Sequence, residues 1–357
     1  LAVRPVHIGT SQSLDSSETQ SASQVRIRWR VPVVFQTTWP VLGDNPVYVS
    51  QMIKEASRGA FLLDIFEPNE IVPPFSITDA VRDQKIEAGY TWLGYDQGKI
   101  PASALVGAVP FGMEPWEYSA WWFEGGGKNL TETLYEKHKI HPIFCGMTGP
   151  ETAGWFRAPL QSLEDLKGLK MRIPGLGGDV MAKLGASPVS LPGGQIYENL
   201  VSGAIDATEW VGPWNDEAMK FYEAAKFYYF PGMHEPASQL HTGFNASFWG
   251  TLSKSDQALI EAVAQGEDNN FMAEYNAKNG AALERLVKDQ GVVVKEFNDD
   301  VYAAFKRGSD EVYEEVQAHS ALAKKIHDSM VNARKTVGDY VQLNDVAYTN
   351  KRNATLS

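Results

Sequence analysis

The sequence predicts a mixed α/β protein folded as two lobes, and three observations predict it. Short apolar, strand-like stretches alternate with helical ones along most of the chain, the pattern of a layered α/β fold. Two segments, 77–89 and 196–208, share a frame: Ile77, Val81 and Ile86 correspond to Ile196, Leu200 and Ile205. Each is one helix running into one short buried strand. Such units recur by chance; the alternative is a pair of similar lobes, each delivering a strand end to a shared cleft. The region 298–340 is helical in character almost throughout, too long for one ordinary globular helix, and predicts a kinked or segmented one.

In order, residues 1–24 are a Ser-rich leader without periodicity, read as a flexible tether outside the fold. The segment 25–33, VRIRWRVPV, alternates Val25, Ile27, Trp29, Val31 and Val33 with Arg26, Arg28 and Arg30, so it predicts a strand with a solvated arginine face. Helices are expected over 45–59, 76–89, 178–185, 194–203 and 253–278, and strands over 61–67, 140–147, 169–173, 205–211 and 240–249. After the first echoing unit comes GYTWLGY and after the second TEWVGP, aromatic and Gly-rich as a cleft lining should be.

Bulk properties narrow the function. The chain has 357 residues, 43% hydrophobic and 21% charged, with ten Trp, enough for about two domains and a large core. A net charge of −12 argues against nucleic acid or an anionic membrane surface as partner. It leaves a small anionic ligand open, because such a ligand feels its pocket rather than the whole surface. No stretch is apolar for long enough to span a bilayer. The single Cys145, in the run IFCGM, reads as a buried inert thiol. The chain begins at Leu1, which fits a secretory signal already removed. EF-hand, HExxH, CxxC, P-loop and GxSxG patterns are all lacking.

The informative residue is Arg172. In GLKMRIPG it sits inside an apolar strand where the strand breaks into a loop. A buried guanidinium keeps its proton and needs an anion. That anion is either a carboxylate of the protein, such as Asp165 or Asp206, or a ligand carboxylate gripped bidentately. Three loops contribute further oxygen donors: Glu151 in TGPETAGWF, Glu209 and Trp210 in ATEWVGP, and Gln239 in EPASQLH. Such a set suits a hard cation, although it satisfies no metal spacing rule and each residue alone is more often a surface carboxylate or a capping side chain.

Several stretches then resemble one family: EIVPPFSITDAV, GWFRAPLQSLEDLKGLKMRIPG, GGQIYENLVSGAIDATEWVGP and FYYFPGMHEPASQLH. They are similar to the periplasmic solute-binding proteins of tripartite ATP-independent periplasmic (TRAP) transporters. The likeness is strongest to the subgroup that takes 2-oxo and 2-hydroxy monocarboxylates such as pyruvate and lactate. The resemblance runs from about Val25 into the C-terminal helices. It implies a two-lobed, class II periplasmic-binding-protein-like fold with long C-terminal helices spanning both lobes. Lobe I is expected over 25–150 plus about 247–297, and lobe II over 151–246. A helical region is expected over 298–357, with dimerisation as one role for it and packing across the chain's own lobes as the other.

The resemblance also implies roles. Arg172 clamps the substrate carboxylate, and a metal held by Glu151, Glu209, the Trp210 carbonyl and Gln239 shares the ligand. The family pattern has Gln where this chain has Glu151. Two carboxylates suit a divalent ion, so Ca²⁺ is expected over Na⁺. Trp39, Tyr90, Trp92 and Tyr95 are expected to wall the ligand's alkyl tail, with ordinary core packing as the alternative for each. Pro213 onward and Gly243 are expected as hinge joints. The implied partners are membrane permease subunits, and the implied location is the periplasm. A metal-dependent enzyme acting on a 2-oxo acid, using His234 and His241, is the rival reading, as is a ligand sensor for a signalling system. No nucleophile–base pair supports catalysis.

Overall fold

The computed structural model describes residues 24–356, so the leader lies outside the described residues except for Gln24. The strands are β1 (Ile27–Pro32), β2 (Phe61–Phe66), β3 (Ala88–Trp92), β4 (Ile140–Met147), β5 (Gly154–Phe156), β6 (Lys170–Arg172), β7 (Ser187–Val189), β8 (Ala207–Thr208), β9 (Phe227–Phe230), β10 (Gln239–Asn245) and β11 (Val293–Glu296). β1 shows the alternation read from its sequence. Trp29 and Val31 are buried, and Arg26, Arg28 and Arg30 face solvent against Asp256, Asp64 and Glu87.

Two sheets result. β1 and β2 pair in parallel, and the bridge Val33–Tyr90 lays the end of β1 beside β3. β3, β10 and β4 pair antiparallel in that order. The second sheet has the order β11-β9-β5-β8-β6-β7. Within it β6 runs parallel to both β7 and β8, so the ends of β6 and β8 emerge side by side.

The described chain passes between the sheets three times: through 148–153 after β4, through 231–238 after β9, and through the 35-residue helix Lys254–Lys288 between β10 and β11. The first two crossings run alongside each other. Thr148 N donates to Ser238 O at 2.9 Å and Glu151 N donates to Glu235 O at 3.0 Å. The long helix packs on β4, on the helix Asp44–Ala56 and on the helix Pro213–Met219, touching both lobes.

Several expectations shift. The stretch 239–245, expected in lobe II, is the strand between β3 and β4 in the first sheet; 293–296, expected in lobe I, is an edge strand of the second. An apolar run that is buried on both sides is best satisfied between two neighbours, which β10 finds in β3 and β4. The strand expected over 240–249 stops at Asn245, whose side chain accepts from Ser247 N at 3.0 Å and Phe248 N at 3.4 Å. That cap starts the helix Ala246–Thr251. Gly243, expected as a joint, lies inside β10 opposite Gly89 and Pro142, and Pro213 opens a helix. Neither position is where the chain passes between the sheets; the short crossings are 148–153 and 231–238.

The long helical region divides where Ser320 caps Ala323 N. The helix Asp299–Ala318 packs on Gly175–Lys183, and Ala321–Val341 packs on Pro115–Phe123 and Gly127–Glu136. Beyond a π-turn, the helix Ala347–Leu356 has no buried residue. Cys145 is buried as expected, and burial pushes its thiol up to about 12. No described helix is long and apolar enough to cross a membrane.

Candidate functional site

Arg172 is the last residue of β6 and is 2% exposed. Its Nε donates to Leu191 O at 3.1 Å, its Nη2 donates to the Tyr95 hydroxyl at 3.0 Å, and its Nη1 donates to a Glu209 carboxylate oxygen. The guanidinium is therefore not the vacant fork of one reading, and Asp165 and Asp206 are not its partners. Asp165 accepts from the backbone of Gln161 and Ser162, and Asp206 from Lys170 N. A dry cation must be neutralised, and Glu209, one residue past the neighbouring β8, is the carboxylate within reach. A guanidinium carries five N–H donors; these three bonds leave one N–H on each Nη for another acceptor.

Around this pair lies a buried acidic cluster. Glu151 sits on the first crossing segment, His234 and Glu235 on the second, and Glu209 after β8. One ligand atom from each of the four lies within 4.8 Å of the others. His234 Nε2 is 3.4 Å from Glu209 Oε2 and 3.9 Å from Glu151 Oε2. Burial, reinforced by Glu235 and Glu209, raises the Glu151 carboxyl well above the usual range. Burial and Glu209 bring Glu235 up to about 7. For His234 burial works downward, but the hydrogen bond to Glu209 and the charges of Glu209 and Glu235 outweigh it and raise the imidazole.

These are the marks of negative charge in short supply of cations, and the residues fit a hard metal ion. Glu151 Oε2 and Gln239 Oε1 are both buried without a hydrogen-bond partner. The Gln239 oxygen is left free because its Nε2 donates to Ala237 O at 2.6 Å, but Gln239 is not among the residues that line the cavity. Burying an acceptor unpaired costs about 1–3 kcal/mol, which a bound cation would remove. Among the expected ligands, Glu151 and Glu209 come together in this cluster. Trp210 lines the same cavity, whereas Gln239, expected as a ligand, does not: its neighbours Ser238 and Leu240 face the cavity and, along the strand, Gln239 faces the opposite side. His234 and Glu235 complete the cluster and are not among the expected ligands. Their signal is legible in HEPASQ, where Glu235 stands four residues before Gln239.

The cavity beside Arg172 has an apolar side formed by Phe35, Leu42, Trp92, Tyr95, Val211 and Leu240. Of the expected aromatic wall, Trp92 and Tyr95 line it, packed edge-on with centroids 5.0 Å apart. Tyr90 is fully buried behind Phe35, and Trp39 backs Trp210 edge-on at 5.6 Å. Both act as support. Phe35, which is not among the expected residues, meets Trp210 edge-on at 5.9 Å across the two lobes. The Arg172 guanidinium lies 5.2 Å from the Trp210 ring centroid, within cation–π range. Asp216 holds this loop, accepting from Trp155 Nε1 at 2.8 Å, Tyr228 OH at 2.7 Å and Val211 N at 3.2 Å.

The sequence matches the bacterial extracellular solute-binding protein family 7 (DctP) over residues 39–320. The chain belongs to this family. DctP proteins are solute-binding components of TRAP transporters that bind small ligands and work with membrane permease subunits; theirs is a transport family rather than an enzyme family. A monocarboxylate 2-oxoacid-binding periplasmic protein of Nostoc sp. is 35% identical over 338 residues, 94% of this chain and 92% of that one. A TRAP transporter solute-binding protein of Bordetella bronchiseptica superposes with a TM-score of 0.90 at 29% identity, over 93% of this chain and 99% of that one. It is a dimer in which calcium and picolinate copurified in one site. One from Pseudoalteromonas atlantica, with bound sodium and pyruvate, superposes at 0.88 with 32% identity, over 91% and 99% of the two chains. The fold expected from sequence, two α/β lobes with long helices across them, is the one observed.

Proposed function

We propose that this DctP protein binds a small 2-oxo or 2-hydroxy monocarboxylate in the periplasm and hands it to its permease subunits. The carrying observation is the pair of Arg172 N–H donors left unused among the described residues, in the same cavity as a Glu151 carboxylate oxygen that is buried and partnerless. Arg172 takes the ligand carboxylate, and a cation held by Glu151, Glu209 and the Trp210 carbonyl takes the same carboxylate and the α-oxygen. The apolar tail lies against Phe35, Trp92 and Tyr95. Calcium is favoured over sodium by charge: Glu151, Glu209 and Glu235 face one permanent protein cation, Arg172, and a divalent ion balances the excess that a monovalent ion leaves. Titration calorimetry with pyruvate, lactate and 2-oxobutyrate in calcium tests the reading. Absence of heat with every acid would refute it.

Tyr95 supports closure, since it comes from the first lobe and bonds Arg172 in the second. Its burial, ahead of its neighbours' charges, pushes the phenol up to about 12, so it stays a neutral partner. Tyr95→Phe is expected to weaken acid binding about three- to tenfold, as losing one hydrogen bond of about 0.5–1.5 kcal/mol should. Calorimetry on the variant checks this.

The protein is also proposed to pair through its C-terminal helices. Tyr340, Leu343, Tyr348 and Leu356 are 64–80% exposed, and the helix Ala347–Leu356 has no buried residue. Light scattering is expected to give twice the 39.4 kDa chain mass, and a chain ending at Val341 is expected to give the single mass.

A further inference from the structure

Arg172 grips every acid of this class by the same head, so selection among the acids falls on whatever bounds the tail. Two cavities lie between the lobes. The inner one, beside Arg172, is small, about 30 Å³. The outer one is about 740 Å³. Its apolar walls are Phe75 and Pro101 from the first lobe, Ile173 and Pro188 from the second, and Val312 and Val316 from the helix Asp299–Ala318. Two residues line both cavities, Tyr95 and Pro174.

Tyr95 is held there from both sides. Its hydroxyl accepts from Arg172 Nη2 at 3.0 Å in the inner cavity. Its ring packs on Trp92, which lines the inner cavity and not the outer, with centroids 5.0 Å apart. On the other side it packs on Phe75, which lines the outer cavity and not the inner, at 4.8 Å. The ring is therefore a panel between the two spaces on the first lobe. Its counterpart on the second lobe is Pro174, just before the helix Gly175–Lys183, a ring with no flexible side chain to swing aside. Closure does not depend on this panel alone. Gln97 of the first lobe donates through Nε2 to an Asp179 carboxylate oxygen of the second, and both residues line the outer cavity, so the lobes keep a polar tie there when Tyr95 is cut back.

Resting on the reading above, we propose that Tyr95 sets the chain length of the acid: its ring shuts the inner cavity off from the outer one, so the site takes short acids and rejects those with longer tails. The restriction is one of shape and not of chemistry. The outer cavity has apolar surface for an aliphatic chain, and each methylene buried there is worth about fourfold in affinity. The cleft thus contains room for medium-chain 2-oxo acids that one side chain keeps closed.

The test compares pyruvate with 2-oxooctanoate by calorimetry in calcium. The wild type is expected to prefer pyruvate by about tenfold or more. Tyr95→Ala is expected to lose affinity for pyruvate and gain it for the longer acid, moving the ratio of the two affinities by about thirtyfold or more towards 2-oxooctanoate. Tyr95→Phe drops the hydroxyl and keeps the ring, so it should weaken pyruvate binding and leave the preference for it in place; this separates the panel from the hydrogen bond. Gly98 lines the outer cavity, and nothing lies within 4 Å of where its Cβ would stand, so Gly98→Trp fills that space without reaching the inner one. Alone, it should bind pyruvate as the wild type does; added to Tyr95→Ala, it should take back the gain on the longer acid. Far-ultraviolet circular dichroism confirms that the variants are folded. If Tyr95→Ala does not fold, Tyr95→Leu, which keeps apolar contact with Trp92 and Phe75 but is shorter than the ring, carries the result. A wild-type ratio in a folded Tyr95→Ala or Tyr95→Leu protein overturns the role of Tyr95 and leaves the acid-binding reading standing, as does a wild type that binds the two acids equally. A gain that Gly98→Trp does not take back overturns the use of the outer cavity. A wild type that binds neither acid overturns both this proposal and the reading beneath it.

Discussion

Arg172→Ala is expected to abolish binding of the acid, with affinity falling by about 10²–10⁴. Two charge-assisted hydrogen bonds of about 1.5–3 kcal/mol each are lost, and each 1.4 kcal/mol is tenfold. The structure adds a second effect. Arg172 is also the counter-ion of Glu209, and removing one partner of a buried pair costs about 3–5 kcal/mol of stability. The variant should therefore melt well below the wild type, and part of that loss should return on adding calcium, which supplies Glu209 with a new cation. Arg172→Lys separates the two effects. It keeps a charge for Glu209 but not the planar fork, so stability should largely recover while acid affinity stays low. Calorimetry and thermal melts read the two separately. An Arg172→Ala protein that binds pyruvate as the wild type does would remove the clamp from the mechanism.

Stripping the metal is expected to have an effect of similar size. With no cation, the ion's own bonds to the ligand are lost, and an incoming carboxylate meets Glu151, Glu209 and Glu235 offset only by Arg172 and His234. Acid affinity should fall at least a hundredfold in chelator and return with calcium. Calcium should also stabilise the fold, by about 2.7 kcal/mol at a hundredfold excess over its Kd. Glu151→Gln reduces the negative charge by one and should narrow the preference for calcium over sodium, measured as the ratio of the two affinities. Acid binding that is unchanged in chelator, or a site that fills with sodium in the presence of calcium, would sink the divalent assignment.

How far these features are legible in the sequence depends on their range. Period-two alternation marks β1 and its arginine face because Trp29 and Val31 answer to one local rule. The echo between 77–89 and 196–208 points to two lobes because each copy is a contiguous unit. Arg172 stands out because a permanent charge inside an apolar strand is a local contradiction. Its partner does not stand out, since Glu209 lies 37 residues away and meets it only because β6 and β8 are neighbours. The lobe boundaries shift for the same reason: β10 reads as any apolar strand, and nothing within it says that it pairs with β3 and β4. Glu235 escapes notice because one carboxylate in a loop is ordinary until the fold lays it against Glu151.

The helix Lys254–Lys288, at 35 residues and about 1.5 Å per residue, is a beam of about 50 Å clamped to both halves of the molecule. A beam of this kind resists bending, so the halves part by swivelling along its flank, with the deformation concentrated in the two short bridges of chain beside it. Together with the turn at Ser320, where the chain passes from the helix on the second half to the helix on the first, these bridges would restrict how the halves can part.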